Sequence, residues 1–368
     1  MMKILTVLGA RPQIIKSAAI TRVVRSEFEG ELEEVVLNTG QHYDSNMSAD
    51  FFKELFLPVP KYDQSIDFSK ANPISQMIEG VENAIIKESP NVIIVYGDTT
   101  STLAGAISAA KFNIPLVHIE AGLRSFNISM PEEGNRILTD HSSRLLFTPT
   151  LEGVKNLKNE KINDDFIFHC GDVMYDNSLF YKEKVNELSD VLNTHGLEKD
   201  RFILFTCHRQ GNTDIKENLL GILQGVKEVA SISGLDIVFP MHPRTRNRII
   251  EFFGDGYLKD LESYFKVIPP ASFLDTIQLE SNASFIMTDS GGIQKEAYFF
   301  EKISVILREQ TEWVEIIEND AAVLAGAKAS SIVESYKKLK NMKPKFEPIF
   351  GDGEAGKFIC KTILEELR

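Results

Sequence analysis

The chain has 368 residues, with 40 Lys+Arg against 53 Asp+Glu and a formal net charge of −13, a balance that disfavours a general nucleic-acid binder. At roughly 100 to 200 residues per domain, this length predicts two domains, each with a core of its own. Hydrophobic residues at 43% and charged residues at 25% are ordinary globular values and argue against long disordered tracts, a collagen-like chain or a membrane-embedded one.

In chain order, the first apolar run, Ile4 to Leu8, ends in Gly9-Ala10-Arg11-Pro12. It falls far short of a secretory core and reads as a first buried strand. Short β-branched runs then alternate with polar turns and stretches of helical period, the signature of βα units around a parallel sheet. The runs predicted as strands in the first half are Lys3 to Leu8, Glu34 to Leu37, Val92 to Tyr96, Leu116 to Ile119 and Leu145 to Phe147. Leu103, Ala106, Ile107 and Ala110 share one helical face.

A charged stretch from about Lys182 to Asp200 interrupts the pattern, which restarts with Phe202 to Phe205, Ile237 to Phe239, Phe265 to Ile268, Phe285 to Thr288 and Val305 to Leu307. These predict a second sheet. The expected division is residues 1–185 for the first domain and 186–353 for the second, with a last helix, 354–368, that joins the first. No segment reaches the roughly 20 apolar residues of a spanning helix. Three cysteines, Cys170, Cys207 and Cys360, are too scattered for a CxxC metal site and too few for a disulfide framework, which fits a reducing cytoplasm.

Doubly wound domains bind ligands at the carboxyl ends of their strands, and the polar signatures fall there. Gly9 to Lys16 follows the first strand, with Arg11 and Lys16 placed to meet an anion at a helix start, or to be an ordinary βα turn. Asp98 ends the run Val95-Tyr96-Gly97-Asp98, as a site carboxylate or as a helix cap. His118 and Glu120 lie two apart at the next strand end, hence on one side. Ser129 and Glu132 match the S-x-x-E capping box, and Arg136 one turn on is spaced to hold Glu132 or an anion.

In the second half, His208-Arg209 and His242-Pro243-Arg244 each follow a strand and read as anion or acid/base groups. In Thr288 to Glu296, a strand, a Ser290-Gly291-Gly292 turn and a helix start make a phosphate cradle, with Glu296 in reach of ribose hydroxyls. Gly351 to Lys357 imitates a P-loop, but Phe358 stands where Ser or Thr is required. There is no HExxH, no G-x-S-x-G elbow and no GxGxxG after the first strand.

Taken in order, GARPQIIK, TGQHYD, VYGDTTSTLAG, HIEAGLRS, MPEEGNRILTDH, CHRQGNTD, MHPRTR, TDSGGIQKEA, LREQTEW and GDGEA resemble the non-hydrolysing UDP-N-acetylglucosamine 2-epimerase family from Lys3 to the last helix. The resemblance implies a GT-B-like α/β fold: two Rossmann-like, doubly wound parallel-sheet domains facing a central cleft. It also implies a homodimer that takes a UDP-activated 2-acetamido sugar without metal or redox cofactor, in the cytoplasm, and with neither nucleic acid nor membrane as partner. The chemistry it implies is elimination of UDP to a 2-acetamidoglucal and re-addition after the C2 proton returns on the other face. Such a route needs an acid, a base and a held diphosphate. Residue by residue, the match assigns acid/base roles to Asp98, Glu120 and Glu132, and diphosphate contact or catalysis to His208. It assigns anion binding to Arg11, Lys16 and Arg136, phosphate binding to Ser290, Gly291 and Gly292, and ribose to Glu296, while His242 is a substrate-binding candidate on its strand-end position.

The sequence departs from the family's pattern at Gly211, often glutamate there, and at Glu301-Lys302-Ile303, often Gly-Lys-Pro. Some bacterial members bind a second UDP-GlcNAc through glutamines in the stretch matching Gln41 to Asp44; Gln41 and His42 are kept and Asp44 replaces the second glutamine. GARPQ, TGQHYDSNMS and LREQTEWVE resemble a branch acting on UDP-2,3-diacetamido-glucuronic acid, which leaves the sugar open between two candidates. A glycosyltransferase on the same fold would have no need of carboxylates at C2, and a nucleotide-sugar sensor would not need them intact. The basic residues at the strand ends predict an acidic shell around a basic cleft.

Overall fold

The computed structural model describes residues 1–41, 51–64, 66 and 72–368. The chain divides into two compact units, Met1–Asn177 with Pro348–Arg368, and Ser178–Glu347. The first is built on β1 (Met2–Leu8), β2 (Leu32–Asn38), β3 (Tyr62–Asp63), β4 (Val92–Tyr96), β5 (Leu116–Ile119), β6 (Leu145–Thr148) and β7 (Ile167–His169). The second holds β8 (Phe202–Thr206), β9 (Asp236–Pro240), β10 (Phe265–Ile268), β11 (Phe285–Thr288), β12 (Ser304–Ile306) and β13 (Ala322–Leu324).

Both sheets are parallel throughout, with strand orders β3-β2-β1-β4-β5-β6-β7 and β10-β9-β8-β11-β12-β13. Each follows the doubly wound order in which the chain reverses direction beside its first strand, so both units are Rossmann-like. Helices cover both faces of such a sheet, which is why the central strands are apolar without alternation: all of β4 and β8 is buried. One core layer of the first unit gathers Leu5, Val7, Leu37, Ile93 and Val95; its counterpart in the second gathers Ile203, Phe205, Phe239, Met287 and Val305.

The topology also fixes where ligands go. The order reverses between β1 and β4 in the first unit and between β8 and β11 in the second. A doubly wound sheet opens a crevice at such a point, beyond the carboxyl ends of the two strands. The turns Gly9-Ala10-Arg11 and Gly97-Asp98 flank the first crevice, and Cys207-His208-Arg209 and Asp289-Ser290-Gly291 flank the second.

The last helix, Ala355–Leu367, packs on the first unit against the Arg11–Ser26 helix. A Cβ at Gly356 would stand 3.2 Å from the Ala19 carbonyl oxygen, so glycine allows the two helices to approach closely. Asp176 accepts the N–H groups of Ala355 at 3.2 Å and Gly356 at 2.7 Å, capping the helix from another element.

Three edge strands, β3, β7 and β13, escape the periodicity reading because they are two or three residues long and half exposed. Segments that short carry no alternation to read. The last predicted strand of the second sheet, Val305 to Leu307, is displaced by one residue to Ser304–Ile306. His42 and Asp44 lie outside the described residues.

Candidate active site

In the first unit, the crevice between β1 and β4 is lined by paired charges. Lys16, in the second turn of the helix after β1, donates from Nζ to Glu120 Oε1 at 2.7 Å. Glu120 follows β5 directly and adopts φ +71, a left-handed conformation that costs a non-glycine residue of order 1 kcal/mol or more and concentrates at functional sites. Its backbone N–H and that of Ala121 both donate to the Phe147 carbonyl at 3.0 Å, which holds the turn in place. Gly97, at φ +61, leaves room beside this pair: a Cβ there would stand 3.3 Å from Lys16 Nζ.

Asp98 is fixed by a second pair. Arg136 donates to Asp98 Oδ2 through Nε at 2.9 Å and Nη2 at 2.6 Å, and through Nη1 to Glu133 Oε2 at 2.7 Å. Both bonds on Asp98 fall on one oxygen. Among the described residues Oδ1 is left without a partner, on a carboxylate 28% exposed. Asn135 Nδ2 adds a bond to the Asp98 carbonyl at 2.9 Å. Burial of the Arg136 guanidinium pulls its pKa down, but Asp98 and Glu133 outweigh that and raise it. Burial likewise pushes Glu133 up, and donors from Ser125 and Phe126 together with Arg136 bring it below its ordinary value.

These contacts correct several sequence expectations. Asp98 does not cap the following helix: Thr99 does, accepting from the Thr102 N–H. The Ser129/Glu132 capping box does not form, because Ser129 Oγ turns back to Asn127 Oδ1 at 2.7 Å and Met130 occupies the N-cap. Arg136 engages Glu133, three residues before it, rather than Glu132. Spacings of three and four are both neighbours on a helix, and only burial of Glu133 against the Ser125–Phe126 amides separates the two. Glu132 stands exposed in the helix's first turn. His118 does not share the surface with Glu120; it is fully buried. Arg11 is exposed, its guanidinium 4.4 Å from the Phe51 ring centroid.

In the second unit, the crevice between β8 and β11 centres on the buried Asp289. It accepts the His208 N–H at 3.1 Å on each oxygen, the Arg209 N–H at 3.0 Å and Asn212 Nδ2 at 3.0 Å. Three donors, the His208 N–H shared between both oxygens, fix the backbone that carries His208. Ser290 caps the Gly291–Phe299 helix, Oγ accepting from the Ile293 N–H, and leaves the amides of Gly291 and Gly292 at the helix start. Around Gly291 a Cβ would meet Arg209 Nη2 at 3.5 Å, Glu312 Oε2 at 3.9 Å and Arg308 Nη1 at 4.0 Å. Glu296 is 8% exposed one turn along. His242 caps the Pro243–Phe253 helix through Nδ1, and its ring centroid is 6.0 Å from that of His208. Burial, then His208 and Arg244, lower the His242 pKa. Beside them lies a cavity of about 180 Å3 bordered by Thr206, His208, His242, Ala271, Thr276 and Ile293.

The expected basic lining is charge-balanced. Lys16 meets Glu120, Arg136 meets Asp98 and Glu133, Arg244 meets Asp214, and Arg308 meets Glu312. Lys16, Arg136 and Arg308 are largely out of water, where a cation needs a counter-charge, whereas the Arg244 pair is partly solvated. Glu133, Asp289, Arg308 and Glu312 were not singled out from the sequence. The spacing to Arg136 points as well to Glu133 as to Glu132, Asp289 heads the Ser-Gly-Gly turn, and Arg308 and Glu312 lie in the LREQTEW segment, which the resemblance quotes without giving either residue a role.

Residues 25–364 match the family described as UDP-N-acetylglucosamine 2-epimerase. The chain belongs to that family. It is 44% identical over 367 residues to the UDP-N-acetylglucosamine 2-epimerase homolog of Methanococcus maripaludis, covering 98% of this chain and 99% of that one. With the UDP-2,3-diacetamido-2,3-dideoxy-D-glucuronate 2-epimerase of Pseudomonas aeruginosa it shares 42% over 366 residues, again 98% and 99%. Among solved structures, the Methanocaldococcus jannaschii UDP-GlcNAc 2-epimerase in complex with UDP-GlcNAc and UDP superposes with a TM-score of 0.86 at 36% identity, covering 99% of this chain and all of that one. The family is one of isomerases with a GT-B-like fold, in agreement with the two Rossmann-like units. No helix among the described residues is long and apolar enough to cross a membrane.

Proposed function

We propose that the protein is a non-hydrolysing epimerase that inverts C2 of a UDP-2-acetamido sugar, converting UDP-GlcNAc to UDP-ManNAc, in the cytoplasm, as a homodimer that feeds surface-polysaccharide synthesis. The observation that carries this reading is the pair of anchored carboxylates at the first crevice, Glu120 on Lys16 and Asp98 on Arg136, in a chain that matches the family from end to end. The C2 proton of an N-acetylhexosamine is not adjacent to a carbonyl carbon, so simple deprotonation would form a very poor carbanion. Elimination avoids it: one base takes the C2 proton as the C1–O bond to UDP breaks, leaving the 2-acetamidoglucal. A proton is then delivered to C2 from the opposite face as UDP re-adds at C1, with no net redox.

Two proton-handling groups on opposite faces are therefore required. Asp98 and Glu120 come from different strand ends and are held by different cations, which suits them to separate roles, with Glu132 completing the set. Departing UDP needs stabilisation of its diphosphate. The Gly291 and Gly292 amides, Ser290, Arg209 and His208 serve it in this reading, with Arg11 as a further cation, His242 as a neutral donor through Nε2 and Glu296 on the ribose.

A second substrate is favoured by one observation, the 42% identity to the P. aeruginosa diacetamido-glucuronate enzyme. The same elimination applies there, with a carboxylate at C5 and an amide at C3. Incubation with each sugar, followed by proton NMR of the anomeric and H2 signals, separates the two. We expect the manno epimer of at least one; unchanged spectra with both would refute the reading.

A further inference from the structure

His118 sits inside β5 at 0% exposure, and no step of the reaction uses it. Its ring makes two bonds: Nδ1 to Asp140 Oδ1 at 2.6 Å and Nε2 to the Gly97 carbonyl at 2.7 Å. Both partners are acceptors, so both ring nitrogens carry protons when the two bonds are made. Asp140 continues the chain. Its Oδ2 accepts the Gly122 N–H at 3.2 Å and meets Arg124 Nη2 at 2.7 Å. Arg124 reaches on to Glu160 through Nε at 2.6 Å. Burial pushes the Asp140 carboxyl up, but His118 and Arg124 outweigh burial and bring it down.

The two backbone groups at the ends of this network belong to the two turns that carry the proton-handling residues. Gly97 precedes Asp98, and Gly122 stands two residues after Glu120. Asn156 Nδ2 donates to the Gly122 carbonyl at 3.0 Å, so both polar groups of that glycine are tied. A buried ionic network of this kind is weak evidence for stability, because desolvation offsets much of its attraction. Its effect is to hold β4's end and β5's end at one mutual spacing.

We infer that His118 is a positioning residue: through the Gly97 carbonyl on one side and Asp140 with the Gly122 amide on the other, it sets the separation of Asp98 and Glu120. This rests on the epimerase reading and extends it to a residue that does not touch the substrate. A displacement of about 1 Å between two proton-handling groups is enough to cost roughly 100-fold in rate, whereas binding of UDP through the second unit is untouched by it.

The test compares His118→Gln with His118→Asn, since a glutamine amide nitrogen reaches the position of Nε2 and an asparagine amide nitrogen that of Nδ1. Wild type is assayed alongside on both candidate sugars, with kcat, KM, UDP affinity and Tm measured for each protein. The expected result is a kcat drop of about 10- to 100-fold in His118→Asn, partly recovered in His118→Gln, with KM and UDP affinity within about twofold of wild type. The two variants should show similar Tm, each having lost one bond of the ring. Unchanged kcat in His118→Asn, or kcat tracking Tm equally in both variants, would overturn the inference. An inactive wild type would instead count against the epimerase reading itself.

Discussion

Lys16 Nζ and Glu120 Oε1 meet at 2.7 Å across 104 positions of sequence, joining the helix after β1 to the end of β5 over the crevice where the first sheet reverses. The contact ties a cation to a carboxylate whose backbone is already held in a left-handed turn. Lys16→Met should remove the cation bonded to Glu120 Oε1 and lower kcat/KM by about 10- to 100-fold, while Glu120→Gln should remove turnover with UDP still bound. Steady-state kinetics and calorimetric UDP titration check both; full activity of Glu120→Gln would remove that residue from the mechanism.

Glu132 and Glu133 are neighbours with opposite environments. Glu133 is buried on the Ser125 and Phe126 amides and on Arg136, and Glu132 is exposed. Glu133→Gln should therefore cost about 1–3 kcal/mol of stability, the range for a disrupted buried charge-assisted network, read as a lower melting temperature. Glu132→Gln should melt like wild type and lose kcat. The reverse pattern would exchange their roles.

Asp289→Asn should weaken UDP binding by about tenfold or more, since it removes the negative charge to which His208, Arg209 and Asn212 donate and puts an NH2 donor where one of the acceptor oxygens faces the His208 N–H. The first-unit chemistry is untouched, so KM should rise more than kcat falls. Isothermal titration with UDP measures it directly.

Asp176, which caps the last helix, has its pKa raised to about 6 by burial and by Asp172, against the helix amides that lower it. A carboxyl whose pKa is higher folded than unfolded contributes stability that is fully present below the ordinary value and is lost as pH rises through the folded one. Melting profiles of wild type and Asp176→Asn should therefore diverge between about pH 4 and pH 6, wild type losing on the order of 1–3 kcal/mol relative to the variant. Parallel profiles would show that the carboxyl titrates at its ordinary value.

Much of this was legible in the sequence. Strands such as Val92–Tyr96 and Phe285–Thr288 are continuous apolar runs because both faces of a parallel sheet are covered, and the turns after them carry the polar motifs. The partners of those motifs were less legible. That Arg136 joins Asp98, 38 positions away, or that His118 turns inward to Asp140, depends on which faces the fold buries. Local rules pointed to a capping box at Ser129 and a cap at Asp98. Tertiary contacts overrode both, Asp98 being taken by Arg136 and Ser129 by Asn127.

The central claim is proton exchange at C2 coupled to departure of UDP, carried by Asp98 and Glu120. It is tested most directly by turnover in D2O with the C2 position followed by NMR and mass spectrometry. The account predicts one deuterium at C2 of the epimerised sugar with wild type, and none with Asp98→Asn although UDP still binds. Epimer formed without deuterium at C2, or undiminished exchange in Asp98→Asn, would contradict it.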